Sequence, residues 1–440
     1  MQPDAGMSRL ATAALVAVLV TARAAHAETP SAPAWAADRT RVPDADSKVE
    51  GGFPDGLPLV GYDSNIGLGL GAGGHYTLTG SRTDPLFAYT PYRHRIYAQV
   101  WFTTGGYQQH FVSYDGYYVG GSPYRLRAVL QFERNTNANY FGNGTATLAD
   151  LSYHGRSYGT YDAAVNAAGS RYFHYGYVKP QGQVILERSL VGGRVRALYG
   201  LNTQYVAITR YDSSSGPTTK LGIDCAAQLA SGCNGGWNNS QRAGVALDTR
   251  DFDPDPRSGV FVDSTGQWSA KGFGSSANYV RWTTAARAYY SPFPKLADVV
   301  LAGRVVYSIQ SAGVPFFAMN TLVMAGGTDD ATDQTGLGGE RTIRGYRQDR
   351  FIGPVAAAAT AEVRWTFVRF TVLRQHFSLQ VAPFVDTGRV FDRVGLSFTD
   401  WRVAGGGGLR VGYNRSTIIM FDFGASREDT GFYIDFGMMF

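Results

Sequence analysis

The sequence predicts an all-β fold, a single 16-stranded antiparallel transmembrane β-barrel. Three observations lead to it: the composition, an export signal that no membrane-spanning helix follows, and a series of segments in which apolar and polar residues alternate. Charged residues make up only 17% of the chain, whereas a soluble globule carries about a quarter. The 55 Gly, 27 Tyr and 25 Phe suit a wall with an apolar outer face and a hydrated lumen. The net charge of +5 is spread along the chain and gives little support for a nucleic-acid partner.

The N-terminal segment predicts export. Ser8-Arg9 precedes an apolar run from Leu10 to Val20, and Ala25-His26-Ala27 has the small–x–small pattern of a signal-peptidase site. A helix needs about 20 apolar residues to cross the hydrocarbon, so this run is too short for a membrane anchor. We therefore expect a signal peptide at 1–27. Residues 28–62 contain Pro30, Pro33, Pro43, Pro54 and Pro58 without a helical period, and they predict a periplasmic Pro-rich linker before a barrel at 63–440.

The strands are predicted from alternation with a period of two, which membrane-spanning strands show over about ten residues. From Tyr124 to Glu133, for example, Leu, Ala and Phe share one face, and most of the opposite face is charged or amide. The predicted spans are 63–78, 92–103, 107–119, 124–134, 153–167, 170–189, 194–210, 239–250, 258–270, 276–290, 297–310, 357–371, 377–390, 400–412, 415–425 and 431–440. The span 153–167 alternates weakly, and it is included because bacterial single-chain barrels have even strand counts.

An even count places both termini in the periplasm and the odd-numbered connections outside. Loop four, 211–238, then carries Cys225 and Cys233, the only two cysteines. In an exported protein we interpret this pair as a loop disulfide. The alternatives, two free thiols or half of a metal site, have no neighbouring His to support them. The longest loop, about 311–356, is the sixth.

The last predicted strand has an apolar face that ends on the final residue. Phe436, Met438 and Phe440 continue the alternation begun by Phe432 and Ile434. A terminal strand of this kind is typical of the signal by which the barrel-assembly machinery sorts outer-membrane proteins. The alternative, the last strand of a soluble sheet, would leave a greasy edge exposed to aggregation.

Four motifs resemble one superfamily of outer-membrane barrels. The segment Gly338–Tyr346, with its Arg344-Gly345-Tyr346 core, resembles the sixth-loop motif of the bacterial surface antigen and outer-membrane assembly factor superfamily, which includes the barrel-assembly insertase, the translocation and assembly module and the two-partner secretion translocators. Residues 248–259 resemble its periplasmic turn between strands eight and nine. Residues 362–364 and 384–388 resemble its signatures on strands twelve and thirteen, and the match spans about 58–440. The residues that carry the turn motif are Asp248, Arg250, Asp251, Pro256 and Gly259.

The parity of strands twelve and thirteen predicts what the sixth loop contacts. Glu362, Arg364 and Asp386 are expected to point into the lumen, near Gly388. An inward-folded sixth loop would bring Arg344 to Asp386 as a bidentate, charge-assisted pair. Gly345 would permit the tight bend and Tyr346 would pack against the wall. The resemblance implies that this contact holds the loop inside the barrel; the alternative is that Arg344 is an ordinary solvated loop arginine.

Glycines alternate with apolar residues over Gly67–Gly73, so one face of the strand predicted to be the first lacks side chains. Because glycine weakens a strand, this suits a seam that opens sideways to admit a substrate strand. The other explanation is close packing of the inward loop against a bare wall.

One segment of the sequence matches an enzyme motif in form. Gly155-Arg156-Ser157-Tyr158-Gly159 has the nucleophile-elbow pattern, but no helical period follows it, as the motif requires. The histidines lack ligand spacing, and an acidic group at Asp329, Asp330 and Asp333 predicts a solvated loop tip rather than a cation site. We expect no enzyme activity, cofactor or metal.

Only about 35 residues lie between the expected cleavage site and the first predicted strand, too few for the periplasmic POTRA repeats of the insertases and translocators. We therefore expect a member lacking those repeats, integral to the bacterial outer membrane, that assists protein or lipid assembly or translocation there. The alternatives are a passive or structural channel plugged by its sixth loop and, third, a barrel-borne hydrolase. Expected partners are membrane lipid and lipopolysaccharide, the barrel-assembly machinery during biogenesis, and a separate periplasmic protein.

Overall fold

The computed structural model describes residues 48–440 except 192, 252–254, 325–333, 373–374, 414–416 and 437–440. The expected signal peptide, most of the expected linker, the acidic group of the sixth loop, Met438 and Phe440 lie outside the described residues. Within them, sixteen long strands form one antiparallel sheet that closes on itself. The predicted fold class, a 16-stranded β-barrel, is confirmed.

The barrel strands follow one another around the sheet in chain order, each pairing with the next. Their bounds are β1 Gly51–Asp63, β2 Gly67–Gly80, β3 His94–Thr103, β4 Tyr107–Tyr117, β5 Tyr124–Asn139, β6 His174–Leu190, β7 Val195–Arg210, β8 Ser240–Asp248, β9 Gly259–Ser269, β10 Tyr279–Tyr290, β11 Val299–Gln310, β12 Val355–Val372, β13 Gln375–Phe391, β14 Arg402–Tyr413, β15 Thr417–Ser426 and β16 Thr430–Phe436. Pairing of β1 with β16 closes the barrel.

The first strand begins twelve residues before the predicted barrel boundary, so the linker prediction is wrong over Gly51–Tyr62. This segment pairs with β2 from Gly51–Gly80 to Asp63–Gly67. The sequence does not predict this strand because it contains Pro54 and Pro58. Proline cannot donate a hydrogen bond to the neighbouring strand and so argues against a central strand. Among the described residues, however, β1 pairs with β16 only at Tyr62 and Asp63, and a strand edge tolerates proline.

The predicted fifth strand, 153–167, is wrong as well. Leu151–Tyr153 and Arg156–Tyr158 form a small hairpin, and helix α1 follows at Tyr161–Ala168. The Thr160 hydroxyl caps this helix by accepting a hydrogen bond from the Ala163 amide at 3.3 Å. The predicted count of sixteen is correct because this false strand compensates for the missing first one.

The wall is apolar outside and polar inside, as a membrane barrel requires. Neighbouring residues show the alternation: Val305 and Val385 point outward and are exposed, whereas Arg304 and Asp386 point inward and are buried. None of the helices in the described part of the chain is long and apolar enough to cross a membrane.

Long connections collect at one end of the barrel, called here the loop end, and the opposite end is the turn end. Loop three, 140–173, holds the hairpin and α1. Loop four, 211–239, holds helix α2 (Lys220–Ala226) and the disulfide between Cys225 and Cys233, whose Cα atoms are 6.1 Å apart. Loop six, 311–354, contains the short helix α3 (Phe316–Met319). The start of β1 and the end of β16 both lie at the turn end.

The largest buried apolar cluster lies inside the barrel, between loop six and the wall. Inward-facing residues of the wall meet apolar side chains of the loop; the members are Leu148, Ala285, Val306, Leu322, Met324, Leu337, Ile343, Tyr346, Phe351, Ala356, Ala358, Val390 and Ala404. Loop six is therefore packed against the inner face of β10 to β14.

Candidate functional site

The tip of loop six touches the inner wall backbone to backbone. Gly345 has φ +95°, and a Cβ atom there would lie 2.8 Å from the backbone N and C of Ala425 on β15. The Ser426 hydroxyl donates to the Gly345 carbonyl at 2.8 Å. Only glycine fits this combination of a left-handed conformation and close approach. Gly424 completes the contact, since a Cβ there would meet the Arg344 backbone carbon at 2.7 Å.

This contact places the Arg344 guanidinium among three carboxylates of three strands. Nε and Nη2 donate to the two oxygens of Asp386 (β13) at 2.8 and 3.0 Å, a bidentate pair. Nη1 donates to Glu362 (β12) at 2.9 Å and to Asp422 (β15) at 2.7 Å. The Arg344 backbone amide also donates to Asp386, at 3.1 Å. The guanidinium lies over the Phe384 ring, 3.3 Å from its centroid.

Two further guanidiniums balance the charge of the cluster. Arg364 donates through Nε to Glu362 at 2.9 Å, and Arg410 donates through Nη1 and Nη2 to Asp422. With Arg344 these make three cations against three carboxylates, all almost wholly buried. Burial by itself lowers the pKa of Arg344, but the carboxylates of Asp386, Glu362 and Asp422 outweigh it and raise that pKa well above the usual value. Arg344 is a permanent cation.

Gly388 and Tyr346 shape the packing beside the cluster. A Cβ at Gly388 would lie 2.7 Å from Ile343 Cδ1 and 3.1 Å from Leu337 Cδ1, so the absence of a side chain on β13 makes room for the loop. Tyr346 is buried, and its ring packs edge-on against Phe351 with centroids 5.1 Å apart. Burial raises the pKa of Tyr346.

A second set of loop-six contacts reaches both sides of the seam between β1 and β16. Arg347 donates to the Ser64 carbonyl, just after β1, at 2.8 Å, and pairs with Asp429, just before β16, at 2.5 Å. The Gln348 amide donates to Asn65 Oδ1 at 2.9 Å. Loop six thus bridges the two strands whose pairing closes the barrel.

The predicted turn motif lies between β8 and β9 at the turn end. Asp248 accepts from the Arg250 guanidinium at 2.9 and 2.8 Å and pairs with Arg196 of β7 at 2.8 Å. Asp251 accepts from the backbone amides of residues 257 and 258 at 2.9 and 3.2 Å. Pro256 is buried in the same turn, and Gly259 has φ +103°. These contacts hold the turn itself.

Sequence reasoning missed Asp422 and Arg410. Both lie on the inward face of their strands, next to glycines that leave space for the cluster. Parity alone marks them as inward-facing, but nothing in the linear sequence indicates that β12 to β15 meet at one point.

The bare glycine face over residues 67–73 belongs to β2, not to the first strand. The explanation that these glycines weaken a seam that opens sideways therefore does not apply. The described part of loop six does not fill it either. A Cβ at Gly69 or Gly71 would collide with the Trp101 ring, and one at Gly73 with the Tyr97 hydroxyl. The glycines therefore make room for aromatic side chains of β3, an arrangement known from other sheets in which aromatics cover glycines.

The remaining predicted sites are simple to place. Phe436 ends β16. Ser157 lies exposed in the small hairpin, and α1 does follow it, contrary to the sequence expectation; the residue nevertheless sits in a strand paired with Ser152 rather than on a sharp strand-to-helix turn. Among the described residues there is no group of three His, Cys, Asp or Glu side chains that could hold a metal ion.

Comparison with known families fits this geometry. The profile of the Omp85 superfamily domain matches residues 96–440. The chain belongs to the Omp85 superfamily. This confirms the resemblance drawn from the four motifs, and it makes the protein an outer-membrane β-barrel related to those of protein assembly and translocation. A second profile, a domain of unknown function (DUF5982), matches residues 36–93 and so includes β1 and β2.

A solved BamA structure shows the same fold at low sequence identity. BamA from Haemophilus ducreyi lacking POTRA domains 1–3 is 13% identical with a TM-score of 0.54, over 89% of this chain and 70% of that one. CdiB from Escherichia coli is 10% identical with a TM-score of 0.49, over 85% of this chain and 61% of that one. No curated protein matches the chain.

Proposed function

We propose that this Omp85 barrel assists the placement or passage of protein at the outer membrane, through a seam that opens between β1 and β16. The observation that carries the proposal is the shortness of that seam. Among the described residues its register consists of Tyr62 with Ile434 and Asp63 with Tyr433. The adjoining β1–β2 pair, by contrast, runs the whole length of β1. Each backbone hydrogen bond between strands that an opening breaks must find a new partner. The free-energy cost of separating two neighbouring strands is therefore lowest at a short seam.

In this proposal, loop six stabilises the closed state of the barrel. The Arg344 cluster fixes its tip to β12, β13 and β15, and Arg347 bridges the two sides of the seam. The loop would thus obstruct the lumen and hold the seam shut, and release of the loop would precede opening. We place the termini in the periplasm and the long loops outside, because barrels of this type carry short turns on the periplasmic side.

The partners we propose follow from this placement. Membrane lipid and lipopolysaccharide surround the apolar wall, the barrel-assembly machinery reads the last strand during biogenesis, and a separate periplasmic protein delivers the client. The proposal involves no catalysis, and the carboxylates around Arg344 are paired with its guanidinium.

A disulfide across the seam tests the proposal. Tyr62→Cys/Ile434→Cys joins β1 to β16, and the control Val245→Cys/Ser264→Cys joins the paired strands β8 and β9, which the proposal leaves closed. Each form is expressed in a strain that lacks the native gene, and the outer-membrane protein composition is compared by mass spectrometry. We expect the control and the wild type to restore the missing proteins, and the seam-locked form to do so only after reduction. Full restoration by the oxidised seam-locked form would refute the opening.

A second candidate, a passive channel with loop six as its plug, is favoured by the packing of that loop in the lumen. Single-channel conductance separates the two. A large, steady current from the wild type, with an unchanged protein composition in the strain that lacks the gene, would identify a channel and exclude the assembly role.

A further inference from the structure

Loop seven, residues 392–401 between β13 and β14, exposes three apolar side chains at the loop end of the barrel. Val394, Leu396 and Phe398 are 71%, 64% and 87% exposed. Isolated exposed apolar residues are ordinary on a protein surface, but three alternate residues of one short loop form a contiguous patch. The position of the loop relative to the wall shows what this patch faces.

Loop seven folds back over the outside of the barrel. Tyr307 of β11 points outward, because its neighbours Val306 and Ser308 are buried inward, and its hydroxyl donates to the Gly395 carbonyl at 3.0 Å. The outward-facing residues Val355 and Phe391 are 1% and 7% exposed, whereas outward residues further along the wall are open. Trp401 and Phe391 belong to one packed cluster with Tyr307. The loop therefore covers the rim of β11 to β13 on the side that faces lipid.

An outward-facing arginine ties the loop to this position. Arg389 of β13 donates through Nη1 to the Ser397 and Thr399 hydroxyls, each at 3.1 Å, and to the Thr399 carbonyl. The Trp401 indole N–H donates to the Ser397 carbonyl at 2.6 Å. A charged group on the lipid side of a barrel is unfavourable in proportion to its depth. Loop seven supplies oxygen acceptors to that charge, and its own polar groups turn toward Arg389 while its apolar side chains turn away.

We propose that loop seven is a membrane-inserted flap, whose Val394, Leu396 and Phe398 side chains lie among the acyl chains of the leaflet at the loop end. The patch continues the exposed apolar band of the outer wall, which at this level includes Val305, Val385 and Val403. Arg393 lies beside the apolar positions and would meet the headgroups, whereas Asp400 pairs with Arg389 at 3.9 Å. The occupant is thus the lipid that already surrounds the wall, and the flap adds an anchor at the bilayer surface next to β12 and β13.

The native cysteines make a labelling test direct, because both are joined in a disulfide and a new cysteine is the only free thiol. Phe398→Cys is labelled with the fluorophore nitrobenzoxadiazole and reconstituted into phosphatidylcholine vesicles, with and without brominated phosphatidylcholine. Val305→Cys on the outer wall is the lipid-facing control, and Ser214→Cys, exposed in loop four, is the water-facing control. Leu396→Cys repeats the measurement at an independent position of the flap.

The expected result is a blue-shifted emission at positions 398 and 396 that brominated lipid quenches to the extent seen at 305, with little quenching by aqueous iodide. Iodide quenching at both flap positions as strong as at 214 would overturn the proposal, because the patch would then face water. Blue-shifted emission that brominated lipid leaves unchanged would overturn it equally, since another protein surface would then cover the patch.

Discussion

Replacing Arg344 by alanine should release loop six from the wall. The change leaves Glu362, Asp386 and Asp422 with only two guanidiniums, so the buried cluster passes from three charges of each sign to an excess of one negative charge. Removing one partner of a buried ion pair is destabilising by about 3–5 kcal/mol. Since about 1.4 kcal/mol corresponds to a factor of ten, the docking equilibrium of the loop should shift by roughly two to four orders of magnitude.

Two measurements report this shift. Single-channel conductance in planar bilayers should change from small and flickering in the wild type to large in Arg344→Ala, and thermolysin should cleave loop six faster in the variant. The barrel should still form, as heat-dependent mobility on gels would show, because the sixteen-strand ladder does not include the loop. Arg156→Ala, at an exposed arginine of loop three, is the control and should leave both readouts unchanged.

A double variant tests the charge argument itself. Arg344→Ala/Asp386→Ala removes one charge of each sign and returns the cluster to two guanidiniums and two carboxylates. It should therefore lose less loop protection than the sum of the two single variants, as residues in one network do. Wild-type conductance and cleavage in Arg344→Ala would refute the lock, and strict additivity in the double variant would refute its origin in charge balance.

Three further predictions concern the loops. Gly345→Ala should weaken docking by about 1–3 kcal/mol because of its left-handed φ and the β15 backbone at 2.8 Å; faster thermolysin cleavage checks this, with Gly159→Ala, whose Cβ meets nothing, as the control. Cys225→Ser/Cys233→Ser should leave the barrel folded but make loop four cleavable, since a short disulfide loop contributes roughly 2–3 kcal/mol. Burial raises the pKa of Asp349 in loop six to about 6 from 3.8, and a raised carboxyl pKa favours the protonated folded form, so docking should weaken as pH rises from about 4 to about 6. Asp349→Asn should match the wild type near pH 4 and protect the loop better at pH 7 by up to about 3 kcal/mol.

Each of these has a plain contrary outcome. Equal cleavage of Gly345→Ala and Gly159→Ala would mean that the tip tolerates a side chain. Cleavage of loop four that does not change without the disulfide would show that packing alone holds it. A difference between Asp349→Asn and the wild type that is constant from pH 4 to pH 7 would show that this carboxyl does not titrate as the burial argument requires.

The strand pattern was predictable to the extent that local alternation reports it. Fourteen of the predicted spans correspond to β3–β16 and a fifteenth overlaps β2, because one face of each meets lipid and the other does not. The errors fall where this signal is absent. β1 contains Pro54 and Pro58 and lacks a buried face over its first residues. The false strand 153–167 lies in a loop that alternates only weakly around Tyr158 and Tyr161, while its capped, alanine-rich end forms a helix.

The candidate site was predictable in part. Parity directed Glu362, Arg364 and Asp386 into the lumen, and the motif resemblance singled out Arg344 and Gly345. The third carboxylate, Asp422, carries no local signal, because an inward aspartate in a polar lumen is ordinary. Only the curvature of the closed sheet brings β15 close enough for its carboxylate to share the Arg344 guanidinium with Glu362.

Local sequence patterns are sufficient to predict the class of fold, the strand parity and the family, because each of these rests on periodicity or short motifs that neighbouring residues carry. Tertiary structure alone decided how the barrel closes, what fills the bare face of β2 and which six groups neutralise one another inside. Loop seven shows the same division. Its apolar residues are visible in the sequence, but only the folded wall shows that they lie on the lipid side. The physical reason is that alternation records which face a residue belongs to, whereas pairing, charge balance and the covering of a rim depend on residues far apart in the chain.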